Sequence, residues 1–230
     1  QIQVSEAANI SVLSVGSSQP ITSLIGISSF VNLNNLYCSQ LNLTSLDLKG
    51  LKYLTYIECF NNKLTTLDIT GLKYLTYLFC DNNQLTQLNL SGLTNLKSIN
   101  CSFNKLSLLN VSGLSNLTVL ECYGNLFSTI DLSGLTNLQD LRCSSNPLTS
   151  LSLASSPKIQ YLSCGNSSLT SLDVSNLSNL TTLFCGNSFL KTLFMKNGIN
   201  ETNLDFSNNP NLKYICADDT QTAIIEAKII

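Results

Sequence analysis

The chain has 230 residues and a mass of 25.0 kDa, with a formal net charge of -2 and only 11% charged residues; that length suits one large domain. It contains no His, which excludes Ser-His-Asp and Cys-His catalysis, His-bearing metal sites and a histidine pH switch, and its slight acidity removes the electrostatic drive toward nucleic acid or an anionic membrane surface. Its 44 Leu and 28 Asn signal repetition, while polar residues interrupt every apolar stretch well short of the roughly 20 residues needed to cross a bilayer, so no membrane insertion is expected.

Residues 1–20 precede the repeating pattern and are expected to form an N-terminal cap. QIQVSEAANI has no basic segment followed by an apolar one, so any secretion signal is expected to have been removed or never present. Within it, IQVSEA resembles the closing half of an EF-hand-like calcium loop, with Ile2 at the apolar position and Glu6 as the final bidentate ligand. The Asp-rich half would have to lie before Gln1, so this chain alone is expected to hold no such ion. An ordinary helix start is the favoured reading.

Residues 21–196 carry the repeat. Cys38, Cys59, Cys80, Cys101, Cys122, Cys143, Cys164 and Cys185 follow one another at intervals of 21 residues. Alignment on them gives L-x-x-L-x-C-x-x-N-x-L-x-x-L-D-L-S-G-L-T-N, seen well in LTYLFCDNNQLTQLNLSGLTN from Leu75 to Asn95. Leu78 and Cys80 form one short period-two pattern and Leu88 and Leu90 a second, so two strand passes per coil are expected. Asn-rich turns and glycines such as Gly71, Gly92, Gly113 and Gly134 supply the bends between them.

The cysteines read best as small core residues. One sulfur per coil makes a line, which cannot enclose a tetrahedral ion, and side chains on parallel in-register strands point the same way rather than toward each other, which opposes disulfides. No metal and no cofactor are expected. The column of Asp47, Asp68, Asp131 and Asp173 is broken by Asn89, Asn110 and Ser152, and reads as a solvated outer face rather than a stripe of calcium ligands. Repeated Asn-x-Ser/Thr triplets arise from the repeat itself and are weak grounds for glycosylation.

Strand residues that alternate with buried ones face solvent. Glu58, Phe79, Asn100, Glu121, Arg142, Ser163 and Phe184 stand immediately before repeat cysteines, and Tyr56, Tyr77, Ser98, Val119, Asp140, Tyr161 and Thr182 two places further back. Phe60, Phe103 and Tyr123 follow the cysteines. The candidate ligand-binding set is Tyr56, Glu58, Phe60, Tyr77, Phe79, Phe103, Glu121, Tyr123, Arg142, Tyr161 and Phe184, because aromatics and Arg are what binding hot spots use. Two plainer readings carry equal weight: cross-strand ring stacks worth about 0.2 to 1 kcal/mol per pair, and internal pairing of Arg142 with Asp140 and Glu121.

These motifs resemble those of leucine-rich repeat proteins, of the short 21-residue kind found in secreted flavobacterial (Bacteroidetes) and internalin-like surface proteins, over about Ile21 to Ala217. The resemblance implies a β-rich solenoid: a right-handed stack of parallel strands with little helix. It also makes Asn62, Asn83, Asn104, Asn125 and Asn146 an asparagine ladder satisfying buried backbone groups, with departures at Leu41, Ser167 and Ser188. Residues 197–230 are expected to be a closing repeat and cap; DFSNNPNLKYICADD resembles the final motif of many bacterial members, which puts Ala217 at the cysteine position and Cys216 at an outward one. The tail TAIIEAKII is expected to cover the open end of the core. A non-catalytic, secreted or cell-surface binding and adhesion module for a protein or glycan is the leading expectation. The alternative is a structural spacer or non-catalytic arm of a larger secreted enzyme.

Overall fold

The computed structural model describes residues 4–16, 18–222 and 225–226. A short helix, α1 (Val4–Ala7), is followed by β1 (Val12–Ser14) and a 3-10 turn at Ile27–Ser29. Glu6 therefore lies in a helix, as the favoured reading of that segment expects, whereas Ile2 falls outside the described residues. One three-residue strand per coil comes next: β2 (Asn35–Tyr37), β3 (Tyr56–Glu58), β4 (Tyr77–Phe79), β5 (Ser98–Asn100), β6 (Val119–Glu121), β7 (Asp140–Arg142) and β8 (Tyr161–Ser163). The C-terminal coils contain β9 (Ser171–Asp173), β10 (Thr182–Phe184), β11 (Thr192–Phe194), β12 (Asn203–Asp205) and β13 (Tyr214–Cys216).

The result is a parallel-strand solenoid with almost no helix. Strands β1 to β8, β10 and β12 form a single ten-stranded parallel sheet, and neighbours from β2 onward pair residues 21 apart, such as Ile57 with Leu78 and Leu78 with Ile99. An in-register stack follows from the sequence, because a slip would drive the central Leu or Ile of a strand out of the core. In the coil around β4, Leu64, Leu67, Ile69, Leu72, Leu75, Leu78 and Cys80 are all buried. Two corners let so short a coil close. After each cysteine the chain passes through a left-handed residue, Asn61 or Asn82 for example, at φ near 52 to 53°, a conformation Asn tolerates well. Opposite, Gly71 at φ 81° lets the Leu72 amide bond the Ile69 carbonyl at 3.2 Å, a turn that requires positive φ.

The asparagine column ties coil to coil. The Asn83 side chain accepts from the Leu64 amide at 3.0 Å and donates to the carbonyls of Cys59, Cys80 and Asp81 at 3.0 to 3.2 Å. Asn62, Asn104, Asn125 and Asn146 repeat the arrangement. At the two departures Ser167 and Ser188 bond each other at 3.1 Å.

Two expectations need correction. A second strand pass forms only in the last coils, where β9, β11 and β13 make a three-stranded parallel sheet; among the described residues the corresponding segments of earlier coils form no strand ladder. The register also continues past Cys185 to Phe206, which is buried in the cysteine position, and Asn209 takes up the ladder again by donating to the Cys185 and Phe206 carbonyls. Cys216 and Ala217 belong instead to the second-sheet side, since β13 pairs with β11. All nine cysteines are free thiols, eight buried and Cys216 partly exposed. Of the closing tail, Ile225 is buried against the core, and residues 227–230 lie outside the described residues. Beneath it, Glu201 accepts from the Asn197 and Gln221 side-chain amides.

Candidate functional site

Alternation places two columns of side chains outward from strands β2 to β7, because the middle residue of each is buried. Near the N-terminal end these columns hold aromatic rings in mutual contact. Tyr56 lies 5.0 Å from Tyr37, 6.0 Å from Tyr77 and 5.6 Å from Phe79, ring centre to ring centre. Glu58 sits between Tyr37 and Phe79 in its column, and the Tyr56 hydroxyl donates to Glu58 Oε2 at 3.1 Å. That bond, burial and the Glu58 charge push the Tyr56 hydroxyl up to about 12, with burial the largest cause.

A second pair stands further along, at the corner after the strands. Phe103 and Tyr123 lie 6.0 Å apart with nearly parallel rings, and Phe103 itself adopts φ 52° and is 55% exposed. Gly124 makes room for it: a Cβ there would come 2.6 Å from the Phe103 ring. The third group centres on Arg142. Its guanidinium donates to both oxygens of Asp140 at 2.9 to 3.1 Å, approaches Glu121 at 4.0 Å, and lies over the Tyr161 ring at 4.3 Å. Tyr161 in turn meets Phe184 edge-on at 5.8 Å. Phe60 is half-buried and joins no ring pair among the described residues.

Two groups of surface residues escape the candidate set. Tyr37 and Asp81 share its columns; Tyr37 stands directly before Cys38 and Asp81 directly after Cys80, so extending the register by one coil and one position finds both. Tyr53 and Tyr74 precede the strands, where other coils have Asn95, Asn116 and Asn137 donating to the carbonyls of Lys73, Thr94 and Ser115. The two rings stack at 6.4 Å with planes 14° apart, each under its neighbouring lysine, Lys52 or Lys73. They line a shallow groove with Asn34, Thr55, Thr76, Asn95 and Lys97. Their signal is the departure from Asn in a column that holds it at Asn95, Asn116, Asn137 and Asn179 and departs again at Lys158.

Carboxylates on the sheet face differ from those on the outer column. Burial raises the Asp81 and Glu121 carboxyls above the ordinary range, opposed at Glu121 by Arg142 and reinforced at Asp81 by Glu58. Asp68 and Asp131 go the other way, because the amides of Thr70 and Ser133 donate to them at 2.9 Å. Asp47, Asn89, Asn110 and Asp173 make the same bond two residues on. That column is a set of turn-forming side chains. Among the described residues no group of three or more Cys, Asp or Glu is placed to hold a metal ion.

Comparison with known proteins places this geometry. No family model and no curated protein sequence matches the chain. Among solved structures, the functional domain of InlJ from Listeria monocytogenes, described as including a cysteine ladder, superposes with a TM-score of 0.73 at 29% identity over 94% of this chain. The chain spans only 55% of that protein's length. Internalin C2 from Listeria monocytogenes is 30% identical with a TM-score of 0.67, and the match covers 84% of each chain. YopM, a leucine-rich effector protein from Yersinia pestis, gives 0.72 at 25% identity, over 89% of this chain and 59% of its own.

Proposed function

Because the chain belongs to the leucine-rich repeat family, in its internalin-like form, we propose that it is a non-catalytic binding module, secreted or held at a cell surface, which recognises a protein or glycan through the exposed face of the first sheet. The observation that carries this reading is the contiguous group of rings around a carboxylate at Tyr56, Glu58, Tyr77 and Phe79, with a second group at Glu121, Tyr123 and Arg142 beyond Ser98 and Asn100 of β5. Aromatic rings bring large apolar area at small conformational cost. A solenoid braced by one backbone ladder and one asparagine ladder holds them in place before a partner arrives, which lowers the entropy cost of association. The Asp column offers no comparable surface, since its carboxylates already accept from their own turns. Adhesion outside the cell is part of the proposal, and among the described residues no helix is long and apolar enough to cross a membrane.

Glycan-array and partner-binding measurements on the intact chain test it. Paired substitution of Tyr77→Ala and Phe79→Ala is expected to weaken binding about tenfold or more while leaving the circular dichroism spectrum unchanged. Asp68→Ala with Asp131→Ala is expected to leave affinity as it was. The reverse pattern would move the site to the outer column, and indifference to both pairs would favour the spacer reading.

A further inference from the structure

The sheet face divides into two chemically different halves. In the second half, Arg142 of β7 is saturated by the chain itself: Asp140 holds the guanidinium by two oxygens, Glu121 stands 4.0 Å away and Tyr161 underlies it at 4.3 Å. A guanidinium held by a carboxylate and an aromatic face is a strongly bound cation. The first half repeats the receiving groups and lacks the cation. Glu58 stands in register between Tyr37 and Phe79 with Tyr56 bonded to it, and Asp81 follows in the next coil. Across β2 to β6 and the residues that follow their cysteines, no face position is Lys or Arg. Lys97 enters β5 from the groove of Tyr53 and Tyr74 rather than from the face. Among the described residues neither Glu58 nor Asp81 has an ion-pair partner.

We propose that this first half, centred on Tyr56, Glu58, Tyr77, Phe79 and Asp81, docks a basic segment of a protein partner, whose Arg or Lys side chains lie over the exposed Tyr77 and half-buried Tyr56 and Phe79 rings and pair with the two carboxylates. The inference rests on the sheet face being the binding surface and adds the chemistry of what it takes. Charge complementarity selects the occupant: rings attract a cation through their negative faces, and carboxylates whose partners, the Tyr56 hydroxyl and the Asn82 amide, are neutral repel an acidic one. Partial burial of Asp81 strengthens the pairing, since charges withdrawn from water attract more strongly. A neutral glycan could stack on the rings and donate hydroxyls to the carboxylates, but it would leave their charge without a counter-charge.

Fluorescence anisotropy with three probes separates the possibilities: a labelled Arg-Gly repeat peptide, the same peptide with Glu in place of Arg, and a labelled panel of neutral oligosaccharides. The Arg peptide is expected to bind the intact chain with an affinity that falls as salt rises, and the Glu peptide to show none. Glu58→Gln combined with Asp81→Asn is expected to weaken the Arg peptide about tenfold, with an unchanged circular dichroism spectrum showing that the coil survives. Equal affinity in that variant would overturn the proposal by placing the attraction elsewhere. Oligosaccharide binding that is lost in Tyr77→Ala with Phe79→Ala, without Arg-peptide binding, would overturn the basic partner and leave the face as the binding surface. If no probe responds to the ring substitutions, both readings fall.

Discussion

At the scale of single residues, the ladder asparagines stand where buried backbone groups need partners. Asn104 shows the economy: its amide oxygen accepts from the Leu85 amide at 2.9 Å, and its nitrogen donates to the carbonyls of Cys80, Cys101 and Ser102 at 3.0 to 3.2 Å. Removing the side chain would leave four backbone groups without it, buried between coils, where each unmet group costs about 1 to 3 kcal/mol before water or relaxation recovers part of it. Asn104→Ala is therefore expected to cost about 3 kcal/mol in urea unfolding; a loss under about 1 kcal/mol would mean that water takes the place of the amide. The cysteines contrast with this, since they fill space in the core. Burial pushes the thiols of Cys101 and Cys143 up to about 12 and raises those of Cys59, Cys80 and Cys122 well above the ordinary thiol range, so little reactive thiolate exists at neutral pH. Maleimide labelling of the native chain is expected to modify the partly exposed Cys216 first. Equal labelling of ladder cysteines would show the coils opening faster than the reagent reacts.

The coil is the element of this fold, and its legibility in the sequence varies with what sets each feature. The 21-residue period, the buried Leu columns and the asparagine ladder are readable because every coil must satisfy the same backbone with the same residue types. Phe206 hides the next coil, since a ring stands where eight cysteines stand before it; Asn209, three places on, is the surviving signal. Sequence overstates the second sheet, because its period-two pattern recurs in coils that form no ladder, while two of the three strands that do pair carry Phe194 and Cys216 in place of the column's Asp or Asn. Coils approach closely where Ser167 and Ser188 replace the longer asparagine and Gly165 and Gly186 follow the cysteines; a Cβ on Gly165 would lie 2.5 Å from the Gly186 carbonyl oxygen. On the candidate face, alternation identifies which side chains point outward. It does not say that Arg142 turns back along its own strand to Asp140, because that depends on side-chain rotamers. The spacing argument yields a contrast between two glycines. Gly165→Ala must move backbone and is expected to cost about 2 kcal/mol or more. Gly124→Ala needs only the exposed Phe103 ring to swing aside and the alanine to accept φ 58°, about 1 kcal/mol. Thermal unfolding of the two variants checks the order, and a larger loss at Gly124 would refute close coil contact at Gly165.

The whole molecule is a one-dimensional stack in which each coil leans only on its neighbours, so stability is a sum of coil and interface contributions and should vary along the axis. Interior coils are held on both sides. Ile57, Leu78, Ile99, Leu120 and Leu141 are buried at the centres of strands that pair in both directions. The N-terminal edge is different: β1 pairs on one side only, Val12 is 55% exposed, and Leu41 occupies the position where later coils have the ladder asparagine. The C-terminal coils lose the asparagine at Ser167 and Ser188, but β9, β11 and β13 add a second set of backbone pairings there, and the Glu201, Asn197 and Gln221 side chains bond to one another beneath the tail. Opening from the ends requires breaking one interface, whereas opening in the middle breaks two. Native-state hydrogen exchange is therefore expected to show protection highest for amides of β4 to β7, intermediate for β9 to β13, and lowest for β1, with Asn104→Ala lowering it most in the coils on either side of the substitution. Equal protection from β1 to β13 would show that the stack unfolds as a single cooperative unit, with interface energies too strong for the ends to fray alone.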